Sequence, residues 1–374
     1  MIKFWSYKKE YSKYRKSLLS LINKTISKGT IFFGSDLDRF EKNFIKKYNA
    51  KYGVAVGSGT DAILISIKSL GLKPGDEIIT AANTAIPTIS AIISAGAKPR
   101  LVDVDENYLI DVSKIEKEIT SKTKAIIPVH LYGQVCEMDK IIKIAKKNKI
   151  EIIEDCAQSQ GSKYKGKYSG TIGKLGCFSF YPTKILGTYG DGGFILTNDF
   201  NTYKKIKRLR FYGIETEENN PYKNKYYAFE NGFNSRLDEI QASILNFKLK
   251  KTNEFILKRK KLVKIYTEEL SGANITLPFE LDKNRHVYHL FTVFHPKRNR
   301  IMKYLLKHKI QTRIIYPYPI QTMKAYKEII NNKDRLKNAV KKSRGIFCLP
   351  LYPELTENEV KFICKKLKEI LKKI

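Results

Sequence analysis

One lysine, Lys184, stands between an aromatic segment and a run of glycines in the stretch FSFYPTKILGTYGDGG, residues 178–193. It follows a short predicted strand, and a lysine at a glycine-lined strand end is partly desolvated. Because desolvation lowers the pKa of an amine, Lys184 is a candidate nucleophile for Schiff-base chemistry. The alternative is an ordinary solvated charge, since the chain carries 70 Lys and Arg residues.

A carboxylate partner for such a lysine ends another apolar segment, IIEDCAQSQ. Glu154 and Asp155 close a predicted strand there, and Gln158 follows near the same turn. One strand and a return loop separate Asp155 from Lys184, so neighbouring strand ends can hold both. A reactive lysine with an Asp that faces a pyridinium nitrogen is typical of pyridoxal phosphate enzymes. The structural alternative for either carboxylate is a helix cap or a salt bridge.

A third candidate is the small-residue turn VGSGTDA, between a predicted strand and the start of a helix. Gly59 permits close backbone approach, Thr60 offers a hydroxyl, and the helix dipole favours an anion such as phosphate. The turn lacks the lysine of a P-loop, so a phosphate site and a merely capped turn are both open. A fourth stretch, GFNSRLDEIQASIL at 232–245, is by its chemistry a helix start capped by Asn234 or Ser235.

The elements that position these residues alternate along the chain. Apolar, β-rich runs are separated by helical stretches, which predicts βα units, a mostly parallel sheet and the α/β class. In such sheets ligands bind at the carboxyl ends of the strands. The predicted strands are 52–57, 76–82, 98–105, 124–133, 150–157, 176–182 and 192–199, and the predicted helices include much of 1–50, then 60–71, 84–97 and 138–149.

The second half of the chain is more helical, and we predict two domains. Residues 1–250, including the helical N-terminal segment, form a large cofactor-binding domain, and residues 251–374 form a small α/β domain. The small domain is predicted as a strand–helix–strand–helix unit with strands at 287–295 and 310–317. The polar stretch 215–227 is predicted as an exposed loop.

Composition restricts the function classes. The net charge is +33, but the basic residues are mostly lysines spread along the chain, and aromatic residues do not interleave with them as in RNA-binding strands. A lysine-rich enzyme surface is favoured, and a basic nucleic-acid-binding or regulatory protein is the alternative class. The sequence has no apolar run of membrane-spanning length and no recognisable signal peptide. Its five scattered cysteines indicate a reducing, cytoplasmic location and no metal site.

Six motifs together resemble one family. SGTDA, PVHLYGQ, IIEDCAQ, FSFYPTK, GDGG and NSRLDEIQA occur in the order and approximate spacing of the DegT/DnrJ/EryC1/StrS sugar aminotransferases, from about residue 30 to 326. This resemblance implies a pyridoxal phosphate enzyme of fold type I. Its large domain would hold a mostly parallel seven-stranded sheet, and its small C-terminal domain would be α/β.

The resemblance also implies a role for each matched residue. Lys184 binds the cofactor covalently and then shuttles a proton, and Asp155 keeps the pyridine nitrogen protonated. Asn234 reaches the cofactor phosphate from the partner subunit of a homodimer. Tyr316 and Gln321 border the substrate. The remaining residues implied as cofactor ligands are Gly59, Thr60, Ala85, Gln158 and Ser179.

Two positions depart from the pattern of many relatives. Ala85, in ANTAIPT, stands where relatives have an aromatic residue that stacks on the cofactor ring. Gln321 stands where many relatives have His. Both changes lie on the sugar side of the site, so they weaken any transfer of substrate identity.

The resulting hypothesis is a cytoplasmic, homodimeric aminotransferase that uses pyridoxal phosphate. It moves an amino group from L-glutamate to a keto group of a dTDP- or UDP-linked deoxy-ketosugar, with C3 of a 3-keto-6-deoxyhexose favoured. The alternative within the family is C4 of a UDP-, dTDP- or GDP-linked 4-keto-6-deoxy sugar. A sugar 3-dehydratase is disfavoured, because such relatives have His where this chain has Lys184. No nucleic-acid or membrane partner is expected.

Overall fold

The computed structural model of the chain describes residues 1–215, 226–282, 284–330 and 332–374. The strands in these residues are β1 (Tyr52–Val56), β2 (Glu77–Ala81), β3 (Lys98–Val102), β4 (Thr123–Ile127), β5 (Glu151–Asp155), β6 (Lys163–Tyr164), β7 (Lys167–Tyr168), β8 (Leu175–Ser179), β9 (Gly193–Thr197), β10 (Asn284–Arg285), β11 (Phe291–Phe294) and β12 (Ile346–Leu349). The α-helices are α1 (Tyr7–Ser27), α2 (Ser35–Tyr48), α3 (Gly59–Ser69), α4 (Ile86–Ser94), α5 (Met138–Asn148), α6 (Phe200–Leu209), α7 (Glu239–Glu269), α8 (Arg298–Lys307), α9 (Lys337–Ser343) and α10 (Glu357–Leu371).

Seven strands form the central sheet in the order β1–β9–β8–β5–β4–β2–β3. Strand β9 is antiparallel to both of its neighbours, and the other neighbouring pairs are parallel. The predicted α/β class and mostly parallel seven-stranded sheet are therefore confirmed. Burial on both faces explains why the strands are continuous apolar runs rather than alternating ones.

Helices cover the central sheet, and the parallel pairing of its strands decides which strand ends share an edge. Helix α3 packs against β8 and β9, and α2 packs against α7 over an aromatic cluster that includes Phe40, Phe44 and Phe178. Because β5 and β8 are parallel neighbours, their last residues, Asp155 and Ser179, lie at the same edge of the sheet. None of the described helices combines the length and the apolar character needed to cross a bilayer.

The C-terminal part of the chain has its own hydrophobic core, formed by α8, α10 and the second half of α7 around the antiparallel pair β11–β12. The prediction of a regular strand over 310–317 was wrong, because this stretch forms only isolated bridges, from Ile310 to Ile2 and from Arg313 to Cys348. Tyr316 has a left-handed backbone (φ 60°), and the proline that follows it has no N–H to donate, so pairing stops. The strand that pairs with β11 is β12.

Helix α7 runs without interruption through residue 250, the predicted boundary between the two domains. At the other end of the chain, Ile2 forms a bridge with Ile310, and the Trp5 ring lies 5.9 Å from the Tyr352 ring. The first residues of the chain therefore contact the C-terminal core. Most of the loop predicted at 215–227 lies outside the described residues.

Candidate active site

The carboxyl ends of β5 and β8 open into a cavity of about 860 Å³, which also borders the C-terminal part of the chain. The structure brings together at this cavity eight of the ten residues that the sequence singled out, although they come from widely separated segments. These eight residues are Gly59, Thr60, Ala85, Asp155, Gln158, Ser179, Lys184 and Tyr316.

Lys184 lies in a tight turn just after β8. Its backbone N–H donates to the Tyr181 carbonyl at 2.8 Å, and the Thr188 N–H donates to the Phe180 carbonyl at 2.8 Å, which returns the chain to the sheet. Burial lowers the pKa of Lys184 to about 8, and the nearby Asp155 carboxylate only partly opposes this effect. The neutral amine, the form that attacks a carbonyl carbon, is therefore reached at a lower pH than in a solvated lysine.

Asp155 is buried and held from two directions. Its Oδ2 accepts a hydrogen bond from Thr88 Oγ1 at 2.8 Å, and its Oδ1 accepts from the Ala157 N–H at 3.0 Å. Thr84 Oγ1 lies 3.0 Å from Thr88 Oγ1. The helix-cap alternative considered for this acidic pair does not describe Asp155, which lines the cavity and takes part in no ion pair between described residues.

The neighbouring Glu154 does not line the cavity, and its carboxylate instead stabilises the loop between β5 and β8. Its carboxylate accepts from the backbone N–H groups of Gly170, Ile172 and Gly173 at 2.7–2.9 Å and lies 2.9 Å from His130 Nε2. It therefore fixes the return loop between β5 and β8. Alternation of side chains along a strand places these adjacent carboxylates on opposite sides.

The phosphate-binding turn predicted before α3 has the expected helix start. Ser58 caps α3 by accepting from the Asp61 N–H at 3.0 Å. A Cβ on Gly59 would lie 2.5 Å from the Ser179 Cβ, and a Cβ on Gly193 would lie 2.1 Å from the Ser58 carbonyl oxygen. Only glycine allows this approach of turn, β8 and β9, which leaves the helix N-terminus and the Ser179 hydroxyl at the cavity for an anion.

The groups gathered at this cavity fit pyridoxal phosphate by their chemistry. The α3 N-terminus suits its phosphate, Asp155 suits its basic ring nitrogen, and the amine of Lys184 suits its aldehyde carbon. Ala85 is the N-cap residue of α4 and lines the same cavity.

Gln158 links the sheet edge to the C-terminal part of the chain. Its Oε1 accepts from the Tyr132 N–H at 2.8 Å, and its Nε2 donates to the Tyr316 hydroxyl at 2.7 Å. The Tyr132 and Tyr316 rings stack with centroids 6.4 Å apart. A predicted cofactor ligand and a predicted substrate neighbour are thus in direct contact.

Two predicted residues do not line the cavity within one chain. Asn234 is exposed and forms a backbone bridge with Phe211. Its neighbour Ser235 accepts from the Gly57 N–H and donates to Asp61, so the segment is fixed behind the phosphate turn. Gln321 is buried, and its Nε2 lies 3.5 Å from the Leu336 carbonyl oxygen.

Three residues of the cavity wall were missed by sequence reasoning. Thr88 holds Asp155, Arg313 is an exposed residue at the cavity border, and His289 is 4% exposed with no partner for Nδ1 among the described residues. Burial, with the charges of Lys184 and Arg259, keeps the pKa of His289 well below its usual value, so the ring is neutral. Thr88 stands in the motif ANTAIPT, which would have pointed to it. The other two gave no such signal.

Comparison with known proteins agrees with this geometry. The model of the DegT/DnrJ/EryC1/StrS aminotransferase family matches residues 13–368. The chain is 39% identical over 361 residues to the dTDP-3-amino-3,6-dideoxy-alpha-D-galactopyranose transaminase of Aneurinibacillus thermoaerophilus, which covers 96% of this chain and 97% of that protein. It is 36% identical over 374 residues to the dTDP-3-amino-3,4,6-trideoxy-alpha-D-glucose transaminase of Micromonospora megalomicea subsp. nigra, covering 98% of each.

The similarity extends to solved structures. The chain superposes on S. venezuelae DesV with a TM-score of 0.95 at 32% identity, covering 100% of this chain and 99% of that one. Aminotransferases of this family depend on pyridoxal phosphate, so the predicted cofactor and enzyme class are confirmed. On the family match, the sequence identities and the shared fold, the chain belongs to the DegT/DnrJ/EryC1/StrS aminotransferase family.

Proposed function

We propose that this aminotransferase moves an amino group from L-glutamate to the C3 keto group of a dTDP-linked 6-deoxy-ketohexose. The observation that carries the proposal is the meeting of Lys184, Asp155 and the α3 N-terminus at one cavity. Bound pyridoxal phosphate supplies an electron sink for the carbon that gains or loses the amino group. The residues of this chain supply binding, orientation and proton transfer.

Each residue has a distinct task in this proposal. Asp155 holds a proton at the pyridine nitrogen, and the backbone N–H groups of Gly59 and Thr60, with the Ser179 hydroxyl, bind the phosphate. Lys184 would hold the cofactor at its aldehyde carbon, and its amine would move a proton at the substrate carbon. The lowered pKa of Lys184 suits this proton transfer, because a general base works best near the ambient pH.

The choice of C3 rests on the relatives. Both transaminases described above bear names of 3-amino-deoxyhexoses linked to dTDP. The cavity wall contributes Tyr316 and Gln158 as polar groups next to the cofactor site. Gln321 is proposed to border the sugar indirectly, through the short 3₁₀ turn Ile320–Thr322 in which it lies.

The choice of a dicarboxylic amino donor is supported by Arg313. Arg313 is an exposed residue that borders the cavity, its backbone is tied to Cys348 by hydrogen bonds of 3.3 and 2.7 Å, and none of the ion pairs between described residues includes it. A planar guanidinium binds a carboxylate through two parallel hydrogen bonds. A carboxylate of bound glutamate can therefore form an ion pair with Arg313.

A cytoplasmic homodimer with shared active sites is part of the proposal. Five aromatic residues, here called the aromatic patch, lie exposed near Asn234; they are Phe32, Phe33, Tyr212, Tyr227 and Phe229, each 40–61% exposed. The Phe33 ring contacts Phe211, the residue that bridges Asn234. Such a patch is typical of an interface, and a second copy that covers it would meet Asn234. The five cysteines are free and buried, as suits a reducing compartment.

The test is turnover with defined substrates. Purified enzyme loaded with pyridoxal phosphate is incubated with ¹⁵N-glutamate and dTDP-3-keto-6-deoxyglucose, dTDP-4-keto-6-deoxyglucose or the UDP- and GDP-linked 4-keto sugars. Mass spectrometry should show label in the product of the 3-keto substrate, and none with Lys184→Ala. Label only in a 4-keto product would replace C3 by C4, and no label with any substrate would overturn the proposed function.

A further inference from the structure

Thr88 lies beside the carboxylate proposed to face the cofactor nitrogen and contacts it in the cavity wall. We propose that Thr88 is a positioning residue that sets the direction of the Asp155 carboxylate, with Thr84 as the donor that holds Thr88 in turn. This inference rests on the proposed role of Asp155. All three side chains are buried, with exposures of 3% or less, so water does not compete for their hydrogen bonds.

The direction of the hydrogen-bond chain follows from the number of protons available. A carboxylate oxygen can only accept, so the Thr88 hydroxyl donates its single proton to Asp155 Oδ2 in a hydrogen bond of 2.8 Å. The Thr88 oxygen then has only lone pairs left, which makes Thr84 Oγ1, 3.0 Å away, the donor of the next bond. Thr84 lies just before the Ala85 N-cap and Thr88 lies in the first turn of α4, and their hydroxyls meet at the start of this helix.

The chain of hydroxyls has a geometric consequence at the carboxylate. Thr88 holds Oδ2 from α4, and the Ala157 N–H holds Oδ1 from the turn after β5. A carboxylate offers about four acceptor directions. With two of them occupied from different elements, the carboxylate of this cavity-lining residue is held in one orientation. A capping role does not explain Thr88, because Ala85 is the N-cap residue of α4.

The experiment compares three variants of the holoenzyme. Thr88→Val keeps the shape and removes the hydroxyl, whereas Thr88→Ser keeps the hydroxyl. Thr80→Val is the matched control, because Thr80 is equally buried and its hydroxyl donates to the Ile127 carbonyl at 2.8 Å instead. The readouts are the dissociation constant of pyridoxal phosphate, the pH midpoint of the bound cofactor's absorbance, and kcat of the glutamate half-reaction.

Thr88→Val should lower kcat about 10- to 100-fold, the effect expected for one hydrogen bond to a charged group, and should shift the pH midpoint. Thr88→Ser should restore both, and Thr80→Val should change only the unfolding midpoint. The inference falls if Thr88→Val behaves like Thr80→Val, or if Thr88→Ser is as impaired as Thr88→Val. An enzyme that binds cofactor but aminates no sugar would overturn the proposed function alone, because the absorbance comparison still tests Thr88.

Discussion

The side-chain amide of Gln158 donates to the Tyr316 hydroxyl at 2.7 Å and joins the edge of the central sheet to the C-terminal part of the chain. The orientation of the amide is fixed, because its oxygen must accept the Tyr132 N–H at 2.8 Å. A residue proposed to contact the cofactor thus holds one proposed to contact the sugar.

This contact predicts energetic coupling between the two sites. Tyr316→Phe should lower kcat/KM for the sugar nucleotide about tenfold, because the Gln158 amide loses its acceptor. Gln158→Leu should have a similar effect, and the double variant should be little worse than either single one. Steady-state kinetics on the four proteins measures the coupling. Additive losses in the double variant would contradict a shared role.

Lys184 should react with aldehydes at a lower pH than surface lysines do. With a pKa of about 8, it loses its proton as the pH rises through 8, so about 10% is neutral at pH 7 and about 90% at pH 9, whereas an unperturbed lysine needs a pH above 10. Apoprotein is treated with pyridoxal phosphate and borohydride across pH 6–10, and labelled peptides are counted by mass spectrometry. Half-maximal labelling of Lys184 near pH 10 would contradict its desolvation. The exposed Lys146 serves as the internal control.

The adjacent carboxylates Asp155 and Glu154 should give opposite results. Asp155→Asn should keep the fold and lose at least about 10²-fold in kcat, since an amide cannot hold a proton on the pyridine nitrogen. Glu154→Gln should instead weaken folding by about 2–4 kcal/mol, because one amide oxygen can keep the bonds from Ile172 and Gly173 while the amide nitrogen, a donor, then faces the Gly170 N–H. Urea unfolding and kcat are measured on both. Unchanged turnover in Asp155→Asn would return Asp155 to a structural role.

Arg313 should act on the amino donor. Arg313→Gln should raise KM for glutamate about 10- to 100-fold and leave KM for the sugar nucleotide within a few-fold, because only the donor needs the carboxylate pair. The two half-reactions are followed separately by stopped-flow absorbance, with the exposed Arg300→Gln as the control. An effect confined to the sugar half-reaction would assign Arg313 to the diphosphate instead.

The sheet and the edge of it that borders the cavity were predictable from sequence, because the patterns that indicate them are short and local. Apolar strands, the small-residue turn before α3 and the glycines around Lys184 each have short-range physical causes. Strand β12 was missed because IFCL is only four residues long, and Arg313 was placed in a strand because two prolines nearby were given too little weight. Thr88 reaches Asp155 across 67 residues of sequence, and such a contact depends on how α4 sits over β5.

The last prediction concerns which subunit of the proposed dimer supplies Asn234 to an active site. It is exposed and absent from the cavity wall of its own chain, next to the aromatic patch. If dimerisation buries the patch, Asn234 of one subunit serves the cofactor bound by Lys184 of the other. Lys184→Ala and Asn234→Trp are then two proteins with complementary defects, each inactive or strongly impaired alone.

Mixing these two proteins restores one intact site per mixed dimer. That site takes Lys184 from the Asn234→Trp subunit and Asn234 from the Lys184→Ala subunit, whereas its twin receives both defects. With random exchange about half of the dimers are mixed, so about a quarter of wild-type activity should return in a two-fold symmetric assembly. Native mass spectrometry verifies that subunits exchange. A mixture of Lys146→Ala with Lys184→Ala serves as the control, because it shows how much activity remains when active subunits are diluted with inactive ones. Exchange without recovery would mean that Asn234 acts within its own chain or only supports the start of α7, and the shared-site proposal would fall.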